Sequence, residues 1–195
     1  METKAYLASL REDIVFREGL GSHEFIFHST WGLFSPRQID DGTRLLIRYL
    51  DIPVNAQCLD IGCGYGPIGM YLASQSPQGQ TLLVDKDFVA VDYSNKNIAA
   101  NNITNANAIL SNGFAQIPVE KRFDVITSNI PAKVGKELLT LFLHDAKQKL
   151  NPGGKFYIVT INGLRQFMKR NLNEVFGNYK KLKQGPGYTV AVAEI

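Results

Sequence analysis

The stretch Asp60-Ile61-Gly62-Cys63-Gly64-Tyr65-Gly66-Pro67-Ile68-Gly69 has the residue types of a ligand loop. Glycines let the backbone turn sharply and let a ligand touch main chain where a Cβ would clash. Pro67 suits the first position of a helix, because its missing N–H would be unpaired there anyway. Such a helix aims its positive end back at the loop. Read as Gly64-x-Gly66-x-x-Gly69, with Asp85 21 residues after the first glycine, the pattern also fits a dinucleotide fingerprint. Asp60 tilts the reading. A carboxylate just before the glycines repels a pyrophosphate but can hold an ammonium group, so the implied ligand has an amino-acid end and an adenosine end. S-adenosylmethionine is such a ligand, and NAD is the competing one. Asp85 closes LLVD, where a carboxylate can accept from both ribose hydroxyls. A helix N-terminal acid describes Asp87 better. Asn112 suits the adenine amino group, and it equally suits a plain turn before Gly113.

A second constellation, Ser128-Asn129-Ile130-Pro131-Ala132, suits an amine acceptor. Attack on a sulfonium methyl needs a nitrogen lone pair in line with the C–S bond, and an amino group on a base delocalises that pair. Two acceptors, the Asn129 amide oxygen and the Ile130 carbonyl, can bind its two hydrogens and turn the lone pair outward. Pro131 would fix the chain so that the carbonyl points inward. No strong base is required, because the nitrogen becomes acidic once methylated. Positioning of this kind is worth roughly 7 to 11 kcal/mol. An Asn-x-Pro turn at the end of a strand is the plainer reading.

These groups need a scaffold that brings strand ends together. QCLDIG, QTLLVD, NAILS, RFDVITS and KFYIVTI read as strands, separated by helical spacing from Pro67, over Phe88 to Asn101, from Val134 to Ala146 and from Leu164 to Phe176. The third of these helices closes at NPGG. A further helix from Arg37, through Ile39, Thr43, Leu46 and Leu50, stops at Pro53. YKKLKQ and YTVAVAEI flank Gly-Pro-Gly as an antiparallel hairpin. Alternation of apolar strands with helices specifies α/β: a doubly wound, seven-stranded, mostly parallel sheet, Rossmann-like, with an antiparallel C-terminal hairpin. Its ligand crevice opens where the strand order reverses. Residues 1–30 read as an N-terminal extension, with a short helical start, Gly19 and Gly21 as breakers, and EFIFHST as a strand; residues 31–195 form the domain.

The whole chain is 195 residues, 45% hydrophobic and 20% charged, which suits one such domain and excludes disorder. No apolar run spans a bilayer, and the charged N-terminus is no signal peptide, so a soluble cytoplasmic protein is expected. A net charge of +3 permits a nucleic-acid partner without demanding one. Cys58 and Cys63 read as reduced thiols, and His23, His28 and His144 lack ligand spacing, so no metal is expected.

With these residues the chain resembles the small-domain class I methyltransferases, which include 16S ribosomal RNA guanine-N2 methyltransferases. The resemblance covers about residues 25 to 195: Gly32-Leu-Phe34-Ser35, Asp40-x-Gly42-Thr43, LDIGCGYGPIG, VDKD, Asn112, SNIPAKVGK and the closing hairpin. It implies that Gly62, Gly64 and Gly66 form the cofactor loop, Asp60 its preceding acid, and Asp85 the ribose acid. It implies that Asn129 and Pro131 belong to an Asn-Pro-Pro motif, and that Phe34 and Thr43 lie close to the cofactor. Ile130 stands where the family has its first proline, and Ala132 where it often has an aromatic residue. Base stacking must then come from elsewhere or be weaker, and Trp31 either stacks on a base or covers the N-terminal core. The larger family members carry a second, N-terminal domain. The implied activity is methylation of a guanine amino group in ribosomal RNA using S-adenosylmethionine. Lys133 and Lys136 would hold RNA phosphates beside the pocket, with lesser claims for Arg165, Lys169, Arg170, Lys180, Lys181 and Lys183. Adenine N6, a protein glutamine amide, or simple dinucleotide binding are the alternatives.

Overall fold

The computed structural model of the chain describes residues 2–132 and 134–195. Seven strands form one sheet in the order β5-β4-β3-β6-β7-β9-β8. They are β3 (Gln57–Ile61), β4 (Gln80–Asp85), β5 (Ala106–Leu110), β6 (Phe123–Asn129), β7 (Leu150–Ile161), β8 (Lys180–Gln184) and β9 (Tyr188–Glu194). Strands β3 to β7 pair in parallel, and β9 runs antiparallel to both of its neighbours. The C-terminal hairpin therefore inserts its second strand between β7 and β8.

Side chains alternate between two helical layers, as a strand's period of two requires. Leu59, Ile61, Ile126, Phe156 and Ile158 face α5 (Lys136–Gln148) and α6 (Arg165–Phe176). Cys58, Val125, Tyr157 and Val159 face α2 (Asp41–Ile47) and α3 (Pro67–Gln75). Helix α4 (Phe88–Ala100) extends that second layer over β4 and β5.

Three local readings differ from expectation. Helix α2 starts at Asp41, not Arg37, because Asp40 is extended (φ −61°, ψ 144°) and its side chain caps the Thr43 N–H. It ends at Ile47, short of Leu50. NPGG does not simply end α5: Leu150 already pairs with Phe123, and pairing resumes at Val125 and Lys155. The residues between them bulge out, with Asn151 Nδ2 donating to Asp124 Oδ1 at 2.7 Å and the Gly153 N–H to the Ile195 carbonyl at 2.7 Å.

The N-terminal segment carries a helix, α1 (Glu2–Ser9), and two strands where one was expected. β1 (Ile14–Leu20) pairs antiparallel with β2 (His23–Ser29) around Gly21 and Ser22. Phe25 and Phe27 are buried with Ile39, Tyr65, Met70 and Leu83, so this hairpin packs into the domain's own core. Helix α4 stitches it down through Asn97, which is fully buried. Its Oδ1 accepts from the His28 N–H at 2.7 Å, and its Nδ2 donates to the carbonyls of His28 (2.9 Å) and Tyr65 (2.8 Å). Asn97→Ala strands three backbone groups, each worth about 1 kcal/mol when paired. The urea midpoint should fall by the equivalent of about 2 to 3 kcal/mol with an unchanged slope. A loss below about 0.5 kcal/mol would show that these bonds do not anchor the hairpin.

Candidate active site

Strands β4 and β5 follow β3 on one side, while β6 returns to its other side, so the strand order reverses between β3 and β6. Ile61 pairs with Ser128, which places Gly62 and Asn129 beside each other at the carboxyl ends of these strands. The crevice expected from the sequence is at this place.

The glycine loop folds by its backbone. Gly62, Gly64 and Gly66 all have positive φ (73°, 58° and 99°). A Cβ added at Gly62 or Gly64 would meet nothing within 4 Å, so the loop's surface is open at both. Gly66 precedes Pro67 as the N-cap of α3. The Gly62 and Cys63 N–H groups donate to the Val84 carbonyl, and Ser94 Oγ on α4 donates to the Gly64 carbonyl. Asp85, half-buried, accepts from the Gly64 N–H (2.9 Å) through Oδ2 and from the Asp87 N–H (3.0 Å) through Oδ1. Asp87 caps α4 by accepting from the Val89 N–H, as its reading as a helix acid requires. Asn112 lies exposed just beyond β5, whose last residue Leu110 pairs with Asp85.

Asp60 sits beneath the loop rather than along its surface. Only 1% exposed, it accepts from the Gly69 N–H of α3 (2.9 Å) and from Thr127 Oγ1 (3.2 Å). Its carboxylate thus occupies the positive end of the helix that an anionic ligand would need. Burial pushes its pKa up to about 7, against the lowering effect of the Gly69 and Thr127 bonds. Cys58 and Cys63 are free and buried, and burial pushes both thiols up, Cys58 to about 12, which leaves them poor nucleophiles.

Across the crevice, Asn129 is held by residues upstream of the glycine loop. Its Nδ2 donates to Asp40 Oδ2 (2.8 Å) and to Thr43 Oγ1 (3.1 Å), while its Oδ1 meets no donor among the described residues. Thr43 is thereby buried against Asn129. Ile130, 3% exposed, donates its N–H to the Val159 carbonyl at 2.9 Å, a bond that the family's proline would lack. Its own carbonyl receives no hydrogen bond among the described residues. Pro131 and Ala132 are exposed, and the Ile130–Pro131 bond is trans.

The loop from Thr30 to Ile39 closes the site's rim. Tyr65 Oη donates to the carbonyls of Ser35 (3.2 Å) and Gln38 (3.1 Å), tying this loop to the glycines. Ser35 adopts φ 48°, a conformation uncommon outside glycine, and it presents Phe34 65% exposed beside it. Trp31 is 44% exposed with the Arg37 guanidinium 4.6 Å from its ring centre. Lys136 opens α5 and is exposed; Lys133 lies outside the described residues. The sequence shows Asp40 only as part of a pattern and gives no sign of Tyr188, whose Oη donates to Asp40 Oδ1 at 2.8 Å. The spacing of Asp40 and Thr43 is that of a cap and its third residue, and it was the one available signal. Among the described residues no His, Cys, Asp and Glu cluster suits a metal, and no helix is long and apolar enough to cross a membrane.

Comparison with known proteins places residues 24–192 in the description "Methyltransferase small domain". The chain is 35% identical over 168 residues to ribosomal RNA small subunit methyltransferase C of Hamiltonella defensa, covering 84% of this chain and 48% of that protein. It is 32% identical over 178 residues to uncharacterized protein YbxB of Bacillus subtilis, covering 90% of this chain and 88% of that one. A T. thermophilus 16S rRNA N2 methyltransferase (RsmC), solved with AdoMet and guanosine, superposes with a TM-score of 0.84 at 30% identity. That match covers 92% of this chain and 50% of the other. The chain thus spans about half the length of the two ribosomal RNA enzymes.

Asp60 leads to a pH test without any ligand. Its folded pKa lies above its ordinary value, so between about pH 4 and 7 the folded state binds the extra proton and stability falls as pH rises. The expected slope approaches ~1.4 kcal/mol per pH unit at its steepest. Asp60→Asn should flatten that part of the urea-denaturation pH profile. Parallel profiles for the two proteins would mean that Asp60 does not titrate there.

Proposed function

The chain belongs to the methyltransferase small domain family, and on that premise we propose that it is an S-adenosylmethionine-dependent N-methyltransferase acting on the exocyclic amino group of guanine in ribosomal RNA. One observation carries the reading. The Asn129 amide is tied by its nitrogen, and among the described residues neither its oxygen nor the carbonyl of the adjoining Ile130 receives a hydrogen bond at the switch point.

The residues fit the cofactor. The open glycine surface at Gly62 and Gly64 admits a ligand against main chain. Asp85 keeps unused lone pairs on both oxygens for ribose hydroxyls, since a carboxylate offers about four acceptor sites and two are occupied. Asp60 neutralises the start of α3, which favours a cationic ligand over a pyrophosphate and counts against the dinucleotide reading. A ligand ammonium or sulfonium above the loop would draw Asp60 back toward its charged form. Asn112, exposed just beyond β5, is proposed to meet the adenine.

Bound S-adenosylmethionine supplies an electrophilic methyl group. The chain's own part is to orient the acceptor. Asn129 Oδ1 and the Ile130 carbonyl take the two amino hydrogens, which leaves the nitrogen lone pair pointing along the crevice. Transfer would exchange the sulfur–methyl bond for the N–C bond, its electron pair staying on sulfur; the nitrogen is then acidic, and its extra proton passes to solvent without a dedicated base. Phe34, Trp31 and Arg37 stand exposed on the rim, where a base or phosphate of RNA would arrive. Lys133 and Lys136 follow the motif and are proposed to meet phosphates. The relatives named for ribosomal RNA methylation support an RNA acceptor, in a protein working where ribosomes are made, the cytoplasm.

Calorimetry should show S-adenosylhomocysteine binding and no comparable binding of NADH. Asp85→Ala should weaken it by at least about 1 kcal/mol, because the variant loses a charge-assisted bond to ribose and unties Gly64. Nucleoside analysis of small-subunit rRNA should show N2-methylguanosine reduced in cells lacking the gene. Label from the cofactor appearing in protein or in adenine instead would replace the guanine reading.

A further inference from the structure

We propose that Asp40 and Tyr188 are positioning residues for methyl transfer: together they determine which way round the Asn129 amide lies, so that its oxygen and not its nitrogen meets the target amine. The inference rests on the transfer reaction proposed above, but its geometric core does not.

An asparagine amide is nearly symmetric in shape, and turning it by 180° exchanges an acceptor for two donors. A flipped Asn129 would present N–H groups to an amino group and repel it. The surroundings forbid the flip. Asp40 Oδ2, 2.8 Å from Nδ2, can only accept when ionised, so the flipped state would set oxygen against oxygen. Thr43 Oγ1 at 3.1 Å accepts on the same side, but a hydroxyl could equally donate to a flipped oxygen, so the carboxylate makes the distinction.

Helix capping explains only one of the donors that Asp40 receives. Its Oδ2 takes the Thr43 N–H at 3.0 Å, which is all that α2 requires. The other two donors, Asn129 Nδ2 and Tyr188 Oη, come from β6 and β9 and contribute nothing to the helix. Space is arranged for Tyr188: a Cβ at Gly42 would lie 2.8 Å from its Cδ1. The bond to Asp40, followed by burial, pushes the Tyr188 phenol up to about 12, so it remains a donor at neutral pH. With Tyr188 on Oδ1, the carboxylate is turned so that Oδ2 faces Asn129. Donation into a carboxylate also polarises the amide and makes Oδ1 a better acceptor. The closing hairpin thereby reaches the reacting centre through one carboxylate.

Asp40→Ser and Asp40→Asn both keep a competent helix cap, since serine and asparagine cap as well as aspartate. Neither can serve all three donors. We expect both variants to stay folded with a lowered urea midpoint, because donors from β6 or β9 lose their acceptor. The single-turnover rate at saturating S-adenosylmethionine falls roughly 10- to 100-fold in Asp40→Ser and by less in Asp40→Asn, whose oxygen can still take Asn129 Nδ2. The acceptor is small-subunit rRNA from cells lacking the gene. The Kd of S-adenosylhomocysteine and the KM for RNA should move less than about threefold, because the binding contacts are untouched. Tyr188→Phe, away from the cap, should lose rate by a smaller factor. Wild-type rates in Asp40→Ser and Asp40→Asn would overturn the proposal and leave Asp40 a helix cap. An NMR measurement needs no turnover: the Asn129 side-chain NH2 should exchange slowly with solvent in the wild type and rapidly in Asp40→Ser. Equal exchange in both would overturn it as well. If the wild-type protein methylates no RNA, the proposed function fails, and the exchange measurement alone decides the role of Asp40.

Discussion

Everything at this site follows from the reversal of strand order between β3 and β6. Two adjacent parallel strands whose continuations leave in opposite directions cannot be covered by either continuation, and a crevice remains at their carboxyl ends. β3 delivers the glycine loop to one wall, and β6 delivers Asn129, Ile130 and Pro131 to the other. The alternation of Leu59 and Ile61 toward one helical layer and Cys58 and Asp60 toward the other fixes this register. A slip of one residue would move Asp60 into the apolar layer and take the first glycine from the crevice.

Three carboxylates surround that crevice and differ in purpose. Asp60 is buried, its pKa raised by that burial to about 7, and set on the start of α3. Asp85 straps the glycine loop to the end of β4. Asp40 gathers donors from α2, β6 and β9. Their common effect is a field that welcomes a cation, where the glycine pattern alone equally allows a pyrophosphate. The polar framework is largely backbone to side chain, so the loop is shaped before any ligand arrives. Preorganisation of this kind suits a reaction that depends on alignment rather than on acid–base strength.

Much of this was legible in the residues. Strands with continuous apolar character and helices with clear spacing gave the sheet, because period and turn chemistry are local properties. The switch point followed from alternation, and the glycines and Asn129 lie where that logic requires. Asp60 is legible in the sequence as the acid before the glycines, but its burial beneath the loop depends on which face of β3 it occupies, and on its partners in α3 and β6. The role of Tyr188 was invisible, since it depends on β9 inserting between β7 and β8, 148 residues from Asp40. β1 is hard to read because Glu18 interrupts the apolar alternation of Ile14, Phe16 and Leu20 on its inner face, beside glycine breakers. NPGG looks like a helix end by composition, and only the pairing of Leu150 with Phe123 before it and of Lys155 with Val125 after it shows it to be a bulge.

The central claim is that Asn129 acts on the acceptor's reactivity and makes few of the binding contacts. The direct test is single-turnover methyl transfer to rRNA by Asn129→Ala and Asn129→Asp at saturating cofactor. Removal of one preorganised polar group at a reacting centre costs about 10²–10³ in rate. Asn129→Ala should show that loss with S-adenosylhomocysteine affinity nearly unchanged, and Asn129→Asp should fall between it and the wild type. Wild-type rates in a folded Asn129→Ala protein would contradict the account and reduce the segment from Asn129 to Ala132 to a turn at the end of a strand.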